Sequence, residues 1–347
     1  MDSLETEGQN YLLIMWLLLL AVFGLILLYR WYRQSLILEN LTDKYVFITG
    51  CDTGFGNLLA KQLDNRGMKV LAACLTDHGA ENLKKETSSR LQTVILDVTN
   101  SESISAAAEI VSTTVGNAGL WGLVNNAGAF GPAPNEWQKK EDFVRVVNVN
   151  LIGTVDVTLH LLPLVRKAQG RIVNISSCLG RLSFIGGGYC MSKYGVEAFS
   201  DGLRRELCEF GVKVSIIEPG AFGTMMTLSI DNHVNNLKRL WENLPQGIKD
   251  SYGEQYYEQY EKALRGLVGT ASPKIYEVTN SMEHALTAVY PWTRYSPGLD
   301  SKLFYLPMSY LPTVLSDYVL CHSAPKPVAK KWGERPAQPN VTLQNGL

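Results

Sequence analysis

Residues 45–56 read YVFITGCDTGFG, a short apolar run that ends in a glycine-rich turn. The helical spacing of Leu58, Leu59 and Leu63 follows directly, so the stretch predicts a strand, a tight turn and a helix. Such a turn lets the backbone approach a pyrophosphate, which then lies against the partial positive charge of the helix N-terminus. The glycines are spaced GxxxGxG, unlike the general GxGxxG fingerprint, and alone they are also compatible with an ordinary turn.

The alternation of strand and helix continues after this unit. Strand-like runs occur at 70–74, 94–96, 120–124, 172–175 and 214–217, with stretches between them that are long enough for crossover helices. Near-continuous apolar strands joined by helices predict an α/β fold with a parallel sheet covered on both faces. From about 225 to 300 the pattern becomes helical, aromatic and less regular. We interpret this segment as a substrate lobe added to the sheet.

Composition and charge exclude several classes of protein. The chain has 347 residues, with 32 Lys plus Arg against 33 Asp plus Glu, so it lacks the positive field that nucleic-acid binding requires. The six cysteines form no CxxC pair, and the five histidines lack metal-ligand spacing. We therefore expect neither a disulfide scaffold nor a metal site. Charged residues make up 19%, below the roughly 25% of an average domain, which indicates apolar surface hidden in lipid or in a large core.

A membrane anchor is predicted near the N-terminus, after a short segment at residues 1–10. Residues 11–28 carry no charge and would span about 27 Å as a helix, which nearly matches a bilayer core. Acidic residues precede the run and YRWYR follows it, a pattern typical of an anchor rather than of a cleaved signal peptide. Arg30 and Arg33 follow the span and no Lys or Arg precedes it, so the positive-inside rule places the main domain in the cytosol.

A second chemical signal is YCMSK at residues 189–193, with Ser176 and Ser177 upstream. Tyr189 and Lys193 would project from the same face of one helix, where the ammonium can stabilise a tyrosinate. A phenol activated in this way is a usable base near neutral pH. A serine hydroxyl could hydrogen-bond the same substrate oxygen. As an isolated pattern YxxxK carries little weight.

The choice of nicotinamide cofactor should depend on the end of the second strand. This strand ends Cys74-Leu75-Thr76-Asp77, without the arginine that would accommodate a 2′-phosphate. We therefore expect NAD rather than NADP, although Asp77 lies late in the loop for a ribose contact. Asp97, after the third strand, could hydrogen-bond the adenine amino group or serve as a turn or cap residue.

The ensemble of motifs resembles the short-chain dehydrogenase/reductase family over residues 43–320. The motifs that carry the resemblance occur in the family's order and spacing: TGCDTGFG (49–56), NNAG (125–128), Asn150, Ser177, YCMSK (189–193), Pro219-Gly220 and Thr224. More narrowly, the anchor, DKYVFITGCD and MEHALT look like the microsomal retinol and 3α-hydroxysteroid dehydrogenases. The resemblance implies a Rossmann-type doubly wound sheet with strand order 3-2-1-4-5-6-7.

The resemblance also implies roles for individual residues. Tyr189 would be the general acid/base, and Lys193 would lower its pKa and bind the nicotinamide ribose. Ser177 would orient the substrate oxygen, and Asn150 would hold a water linked to Lys193. Ser177 lies twelve residues before the tyrosine where thirteen is common, so Ser176 remains an alternative. The residues expected to bind the cofactor are Gly50, Asp52, Thr53, Gly54, Phe55, Gly56, Asp97, Asn126, Ala127, Gly128, Tyr189, Lys193, Pro219, Gly220 and Thr224.

An apolar substrate is indicated by the segments after the cofactor loop. Met225 and Met226, together with Ser177, are the candidate substrate contacts. Residues 303–320 are apolar but broken by two prolines, which favours a last strand with buried packing over a lip resting on the bilayer. Residues 331–347 are polar and are expected to form a disordered tail. The Asn340-Val-Thr sequon in this tail would matter only in a lumenal domain.

These observations lead to one expectation and two alternatives. We expect a single-pass enzyme of the endoplasmic reticulum membrane that oxidises a lipophilic alcohol, retinol or a 3α-hydroxysteroid, by hydride transfer to NAD. Its partners would be the small-molecule substrate and membrane lipid, and the resemblance also allows a homodimer. The first alternative is an NADPH-dependent carbonyl reductase. The second is a non-catalytic, dinucleotide-binding membrane scaffold.

Overall fold

A computed structural model describes residues 2–224, 229–322 and 324–328. Its centre is a seven-stranded parallel sheet with the strand order 3-2-1-4-5-6-7, so the predicted fold class and order are confirmed. The third strand begins three residues earlier than predicted. The strands are β1 (Tyr45–Thr49), β2 (Lys69–Cys74), β3 (Leu91–Ile95), β4 (Gly122–Asn125), β5 (Arg171–Ile175), β6 (Lys213–Ile217) and β7 (Arg294–Tyr295).

Helices cover both faces of the sheet, as near-continuous apolar strands require. One face is covered by α2, α3 and α11, and the other by α4, α6 and α7. The helices before the lobe are α1 (Asp2–Ser35), α2 (Gly54–Asn65), α3 (Asp77–Lys85), α4 (Ser101–Val115), α5 (Lys140–Val147), α6 (Gly153–Lys167) and α7 (Gly188–Glu206). Those after β6 are α8 (Ile230–Glu242), α9 (Gln246–Tyr252), α10 (Glu254–Gly269), α11 (Tyr276–Thr287), α12 (Leu306–Ser309) and α13 (Thr313–His322).

The segment predicted as a substrate lobe, at about 225–300, is divided between a separate helical cluster and the main core. Helices α8, α9 and α10 pack with residues 133–137 in a cluster centred on Trp137, where the predicted aromatic side chains meet. Helix α11 belongs instead to the main core, because Val278, Met282 and Leu286 are fully buried with α2 under the sheet. The lobe within the described chain is therefore formed by residues 230–269.

A chain of buried amides ties the two central strands to the helices behind them. Asn125 Nδ2 donates to Thr158 Oγ1 at 2.9 Å and to Asn174 Oδ1 at 2.8 Å. Asn174 Nδ2 in turn donates to Ser200 Oγ on α7 at 2.8 Å. Buried polar groups are costly unless they are paired, so this network fixes the position of α7 on the sheet. Helix α7 carries the predicted YCMSK residues.

The N-terminal helix α1 leaves the folded domain. Its segment Leu13–Ser35 is long and apolar enough to cross a membrane. None of the residues in its most apolar stretch of 18 residues is buried. The described residues contain a second candidate by length and composition, Lys140–Lys167, but α5 and α6 of this segment pack in the domain. For α1, the exposure of this window agrees with the predicted anchor.

The end of α1 is fastened to the chain that leads into β7. Leu38 N donates to Thr287 O at 2.9 Å, and Val289 N donates to Leu36 O at 2.8 Å. The Arg33 guanidinium lies 3.8 Å from the centroid of the Tyr290 ring, a cation–π contact. The anchor therefore meets the domain at the β7 edge of the sheet.

The expectation of a last strand within residues 303–320 is wrong. The last strand is β7, whose Arg294 and Tyr295 pair with Ile216 and Ile217 of β6. Residues 301–322 form a π-helical turn (Ser301–Tyr305), then α12 and α13, and most of their apolar side chains are exposed. Proline cannot donate to a strand ladder, which explains why a segment with two prolines does not pair. The predicted tail, residues 331–347, lies outside the described residues.

Candidate functional site

A cavity of about 480 Å³ opens at the carboxyl ends of the strands. Its walls include the first residues after β1, β4, β5 and β6, because parallel strands bring their carboxyl ends to one edge. The structure places all of the predicted cofactor residues in this lining except Gly56. Ser177 also lines the cavity, whereas Asn150 does not. Met225 and Met226 lie outside the described residues.

The glycine turn forms one wall of the cavity. Gly50 and Gly54 have φ angles of +71° and +67°, a backbone region that residues with a Cβ rarely adopt. A Cβ on Gly50 would lie 2.8 Å from the Cα of Ala127, so only glycine allows this close approach. Gly56 is a packing residue, because a Cβ there would lie 2.5 Å from Asn126 Nδ2 and from Gly50 O. Gly56 thus supports the turn from behind.

The turn leads directly into the N-terminus of α2, which begins at Gly54. Thr53, at the N-cap, makes no side-chain capping bond among the described residues. The first backbone N–H groups of a helix have no intrahelical partner, and they carry the positive end of the helix dipole. Together with the glycine cradle and the size of the cavity, this end of α2 fits the pyrophosphate of a nicotinamide dinucleotide.

The Asp52 side chain reaches the end of β2, a position that its place in the glycine turn did not predict. Its carboxylate accepts hydrogen bonds from Leu75 N at 2.8 Å, from Thr76 N at 3.0 Å and from Thr76 Oγ1 at 2.7 Å. An acid therefore does stand at the end of β2, supplied by the glycine turn rather than by the second strand. The pairing of β1 with β2 explains this position of the carboxylate. Thr49 lies beside Ala73, so the residues that follow the two strands are neighbours in space.

Asp97 lines the cavity beyond β3. Its Oδ1 accepts hydrogen bonds from Thr99 N at 2.9 Å and from Thr99 Oγ1 at 2.7 Å. The turn that the sequence allowed for this residue is therefore present. The contact with adenine stays a prediction.

Tyr189 and Lys193 lie one turn apart on α7 and face the same cavity, as the spacing predicted. The Lys193 ammonium lies 5.7 Å from the centroid of the Tyr189 ring. It also donates to Ile175 O at 2.7 Å, so the end of β5 holds it in place. A base candidate and a buried cation thus share one wall of the cavity.

The two candidate serines are directed to different partners. The Ser177 hydroxyl lies close enough to the Tyr189 phenol to lower its pKa by hydrogen bonding. Ser176 Oγ instead donates to Lys193 O at 3.2 Å, so it is bound to the backbone of α7. This geometry favours Ser177 as the serine that would meet a substrate oxygen.

Burial dominates the electrostatics of this wall. It raises the pKa of Tyr189 above its ordinary value, and the contact with Ser177 offsets only part of the rise. Burial also lowers the pKa of Lys193 to about 8, against the opposing charge of Glu197. The lowering of the tyrosine pKa by Lys193 stays a prediction. A lysine with a pKa near 8 can gain or lose its proton near neutral pH.

Asn150 lies behind the cavity in a π-helical turn, Asn148–Ile152, between α5 and α6. Its side chain exchanges hydrogen bonds with the backbone of Ala129, 3.0 Å to the carbonyl oxygen and 2.7 Å from the amide nitrogen. Its Nδ2 also donates to Ser192 Oγ at 2.9 Å, and that hydroxyl donates to Tyr189 O. Asn150 therefore fixes the first turn of α7. The water bound to it stays a prediction.

The far end of the cavity is apolar, as expected for an apolar substrate, but its lining residues were not predicted from the sequence. The Phe130 ring meets Tyr189 edge-on, with centroids 4.8 Å apart, and Phe184 stacks on Tyr305 at 5.4 Å. These residues come from segments far apart in the chain, and no pattern in the sequence connects them. The apolar side chains that line this end are Phe130, Cys178, Leu179, Phe184, Leu267 and Tyr305.

The family model described as short chain dehydrogenase matches residues 44–235, more than half of the chain. The chain belongs to the short-chain dehydrogenase family. The chain is similar to retinol dehydrogenase 7 of Rattus norvegicus, with 60% identity over 314 residues, which are 90% of this chain and 99% of the relative. The 17-beta-hydroxysteroid dehydrogenase type 6 of Homo sapiens is 56% identical over 314 residues, with the same two coverages.

A solved structure of this family has the same fold. The short-chain dehydrogenase from Streptomyces avermitilis superposes with a TM-score of 0.64 at 26% identity, and the match covers 80% of this chain and 95% of that one. The resemblance stated from the motifs is thereby confirmed. As a short-chain dehydrogenase the chain is an oxidoreductase, and its glycine cradle is suited to a nicotinamide dinucleotide.

The buried lysine predicts a pH dependence of stability. Folding lowers the pKa of Lys193 from 10.5 to about 8, so the unfolded chain binds more protons between these values. The free energy of unfolding should therefore increase with pH in this window, by up to about 3 kcal/mol. Denaturant unfolding of the full chain in detergent should show wild type gaining stability relative to Lys193→Met from about pH 8 upward. Parallel pH profiles for the two proteins would contradict a lowered pKa.

Proposed function

We propose that this short-chain dehydrogenase oxidises a lipophilic alcohol, a retinoid or a hydroxysteroid, by hydride transfer to NAD. One observation carries the proposal: Tyr189, Lys193 and Ser177 stand between a glycine cradle and an apolar wall within one cavity. The cradle suits a dinucleotide, and the wall suits a substrate with few polar groups. Relatives named for retinol and for a 17β-hydroxysteroid support this substrate class.

The resemblance to the family gives a role to each of the three side chains, and their places in the cavity support these roles. Ser177 would hydrogen-bond the substrate hydroxyl and orient it toward the Tyr189 phenol. Tyr189, as tyrosinate, would accept the hydroxyl proton, and the Lys193 ammonium would stabilise the tyrosinate charge. Bound nicotinamide supplies the hydride acceptor for the carbinol carbon. In the reverse direction Tyr189 would return the proton to the carbonyl oxygen.

Replacing the tyrosine tests the reaction class. Tyr189→Phe should lower the turnover of retinol or of a 3α-hydroxysteroid at least about 100-fold, because general acid–base catalysis contributes about that much. NAD binding should change little. Tyr194→Phe is the matched control, since this tyrosine is exposed on the same helix and does not line the cavity. The measurement is the growth of NADH fluorescence in membranes that contain the full chain.

The outcomes of this assay separate the alternatives. Comparable activity in Tyr189→Phe would contradict the acid/base assignment. Activity of wild type only with NADPH and a carbonyl substrate would favour the reductase. Folded protein that binds the dinucleotide but turns over neither substrate class would favour the scaffold.

Asp52 supports NAD as the cofactor. Its carboxylate stands at the end of β2, where a dinucleotide places its adenosine ribose. A 2′-phosphate there would meet a negative charge, and Lys193, at the other end, is the one Lys or Arg among the described lining residues. Electrostatic repulsion without a compensating cation disfavours NADP.

The cofactor preference can be tested by removing this charge. Asp52→Asn should reduce the NAD over NADP ratio of kcat/KM by about tenfold, equivalent to about 1.4 kcal/mol. Asp77→Asn is the control, because Asp77 is exposed and does not line the cavity. Equal ratios in Asp52→Asn and wild type would show that the carboxylate does not determine the preference.

We also propose a single-pass protein of the endoplasmic reticulum with a cytosolic catalytic domain. Arg30 and Arg33 follow the apolar span, and the positive-inside rule assigns them to the cytosol. A lipophilic substrate would be concentrated in the same membrane. The proposed cytosolic orientation of the domain rests on these two arginines after the span and on the lack of Lys and Arg in residues 1–10.

Glycosylation tests this orientation. In microsomes the chain should show no glycosidase-sensitive shift in mobility, and Asn340→Gln should migrate like wild type, because a cytosolic sequon is not modified. Protease added to sealed microsomes should digest the domain without detergent, which serves as the control. A shift that is removed by Asn340→Gln would place the domain in the lumen.

A further inference from the structure

The segment after β7 exposes an unusual amount of apolar surface. Leu303 is 74% exposed, Val314 78% and Tyr318 72%. We call this surface the C-terminal apolar face; its residues are Leu299, Leu303, Phe304, Tyr310, Leu311, Val314, Leu315, Tyr318 and Val319. Scattered exposed apolar residues are ordinary, but a contiguous set of this size in one segment indicates an interaction surface.

Helix α13 exposes most of its apolar side chains and buries a polar one, the reverse of a helix in a protein core. Ser316 is its buried residue, whereas Val314, Leu315, Tyr318 and Val319 are exposed. At 3.6 residues per turn these four side chains fall within about 140° of arc. Asp317 lies outside this arc, and His322 lies within it at the last turn. A helix normally buries such a stripe, so α13 presents it to something outside the folded domain.

The position of the face connects it with the membrane anchor. Helix α1 is fastened to residues 284–290, directly before β7, and the face begins at Leu299, directly after it. The chain from Trp292 to Leu299 has seven steps and can span at most about 25 Å. The end of the anchor and the C-terminal apolar face therefore both lie beside β7. They are close enough to contact the same bilayer.

The face also borders the mouth of the cavity. Tyr305 lines the apolar end and stacks on Phe184, and its neighbour Phe304 meets it edge-on at 5.2 Å and belongs to the face. Phe184 and Phe304 are both partly exposed at this rim. A molecule leaving the apolar end of the cavity at this rim would meet the C-terminal apolar face.

We propose that the C-terminal apolar face lies in the membrane interface and forms a second, non-spanning attachment through which substrate passes between the bilayer and the cavity. Helices α12 and α13 have four and ten residues, too few to span a bilayer, so the segment would lie in the plane of the membrane. Tyr310, Tyr318 and the exposed Lys302 are residue types that suit the headgroup level. The passage of substrate rests on the proposed function, whereas the contact with lipid does not.

Depth-dependent quenching tests the contact without using activity. The exposed Cys208 and Cys321 are replaced by serine, because the other four cysteines are buried. A fluorescent label is then placed at Val314→Cys, or at Ile110→Cys as the control, since Ile110 is an exposed apolar residue on α4, far from β7. The full chain is reconstituted in phosphatidylcholine vesicles that contain lipid with a doxyl group near the top of the acyl chain.

We expect the label at 314 to lose most of its fluorescence to the doxyl lipid and to be protected from aqueous iodide. The label at 110 should show the reverse. Quenching at 314 by iodide alone would overturn the proposal. Protection from both quenchers that disappears on dilution of the protein into excess lipid would also overturn it, because a second copy of the chain would then cover the face.

A kinetic measurement tests the passage of substrate separately. The variant Val314→Ser/Leu315→Ser/Val319→Ser changes exposed side chains outside the cavity lining. Its KM for an alcohol dissolved in vesicles should rise several-fold, with kcat unchanged and with an unchanged KM for a short, water-soluble alcohol. Equal KM values for the vesicle-borne alcohol would contradict the passage of substrate through this face. If wild type oxidises no alcohol at all, the proposed function fails while the quenching result still stands.

Discussion

The amide of Asn126 holds the glycine turn against the end of β4, and the cofactor half of the cavity depends on this contact. Its Nδ2 donates to Thr49 O at 2.9 Å and to Gly50 O at 3.1 Å. The turn can approach this closely only because neither Gly50 nor Gly56 carries a Cβ. A larger residue at either position would separate β1 from β4 where their ends form the cavity.

The same constraint determines the distribution of charge in the site. Because the turn is held at the sheet edge, Asp52 reaches across to the end of β2 and accepts its terminal N–H groups. At the opposite end, the Lys193 ammonium donates to the last carbonyl of β5. The negative group thus stands at the end of β2, and the positive group stands beside Tyr189. Strand ends position both groups, so their separation depends on the sheet rather than on flexible loops.

Burial of Tyr189 and Lys193 disfavours the charged form of each side chain. This burial raises the pKa of Tyr189 and lowers that of Lys193. The amide network from Asn125 to Ser200 keeps α7 in place, although the burial of the Lys193 ammonium on this helix is unfavourable. Asn150 performs the same task at the first turn of α7. Polar groups behind the cavity therefore hold in place the helix that carries Tyr189 and Lys193.

Features that depend on neighbours along the chain could be predicted from the order of its residues. The strand and helix periods, the glycine turn, the one-turn spacing of Tyr189 and Lys193 and the apolar span of α1 are local patterns, and the family motifs added the strand order. The packing of distant segments was needed to show which serine faces Tyr189, where the Asp52 carboxylate lies, and which aromatic rings line the apolar end. It also showed that residues 303–320 are helical and exposed, because apolar composition alone cannot tell a buried strand from a helix that turns its apolar side outward. These features depend on contacts between segments far apart in the chain, and such contacts exist only after the sheet has brought the strand ends together.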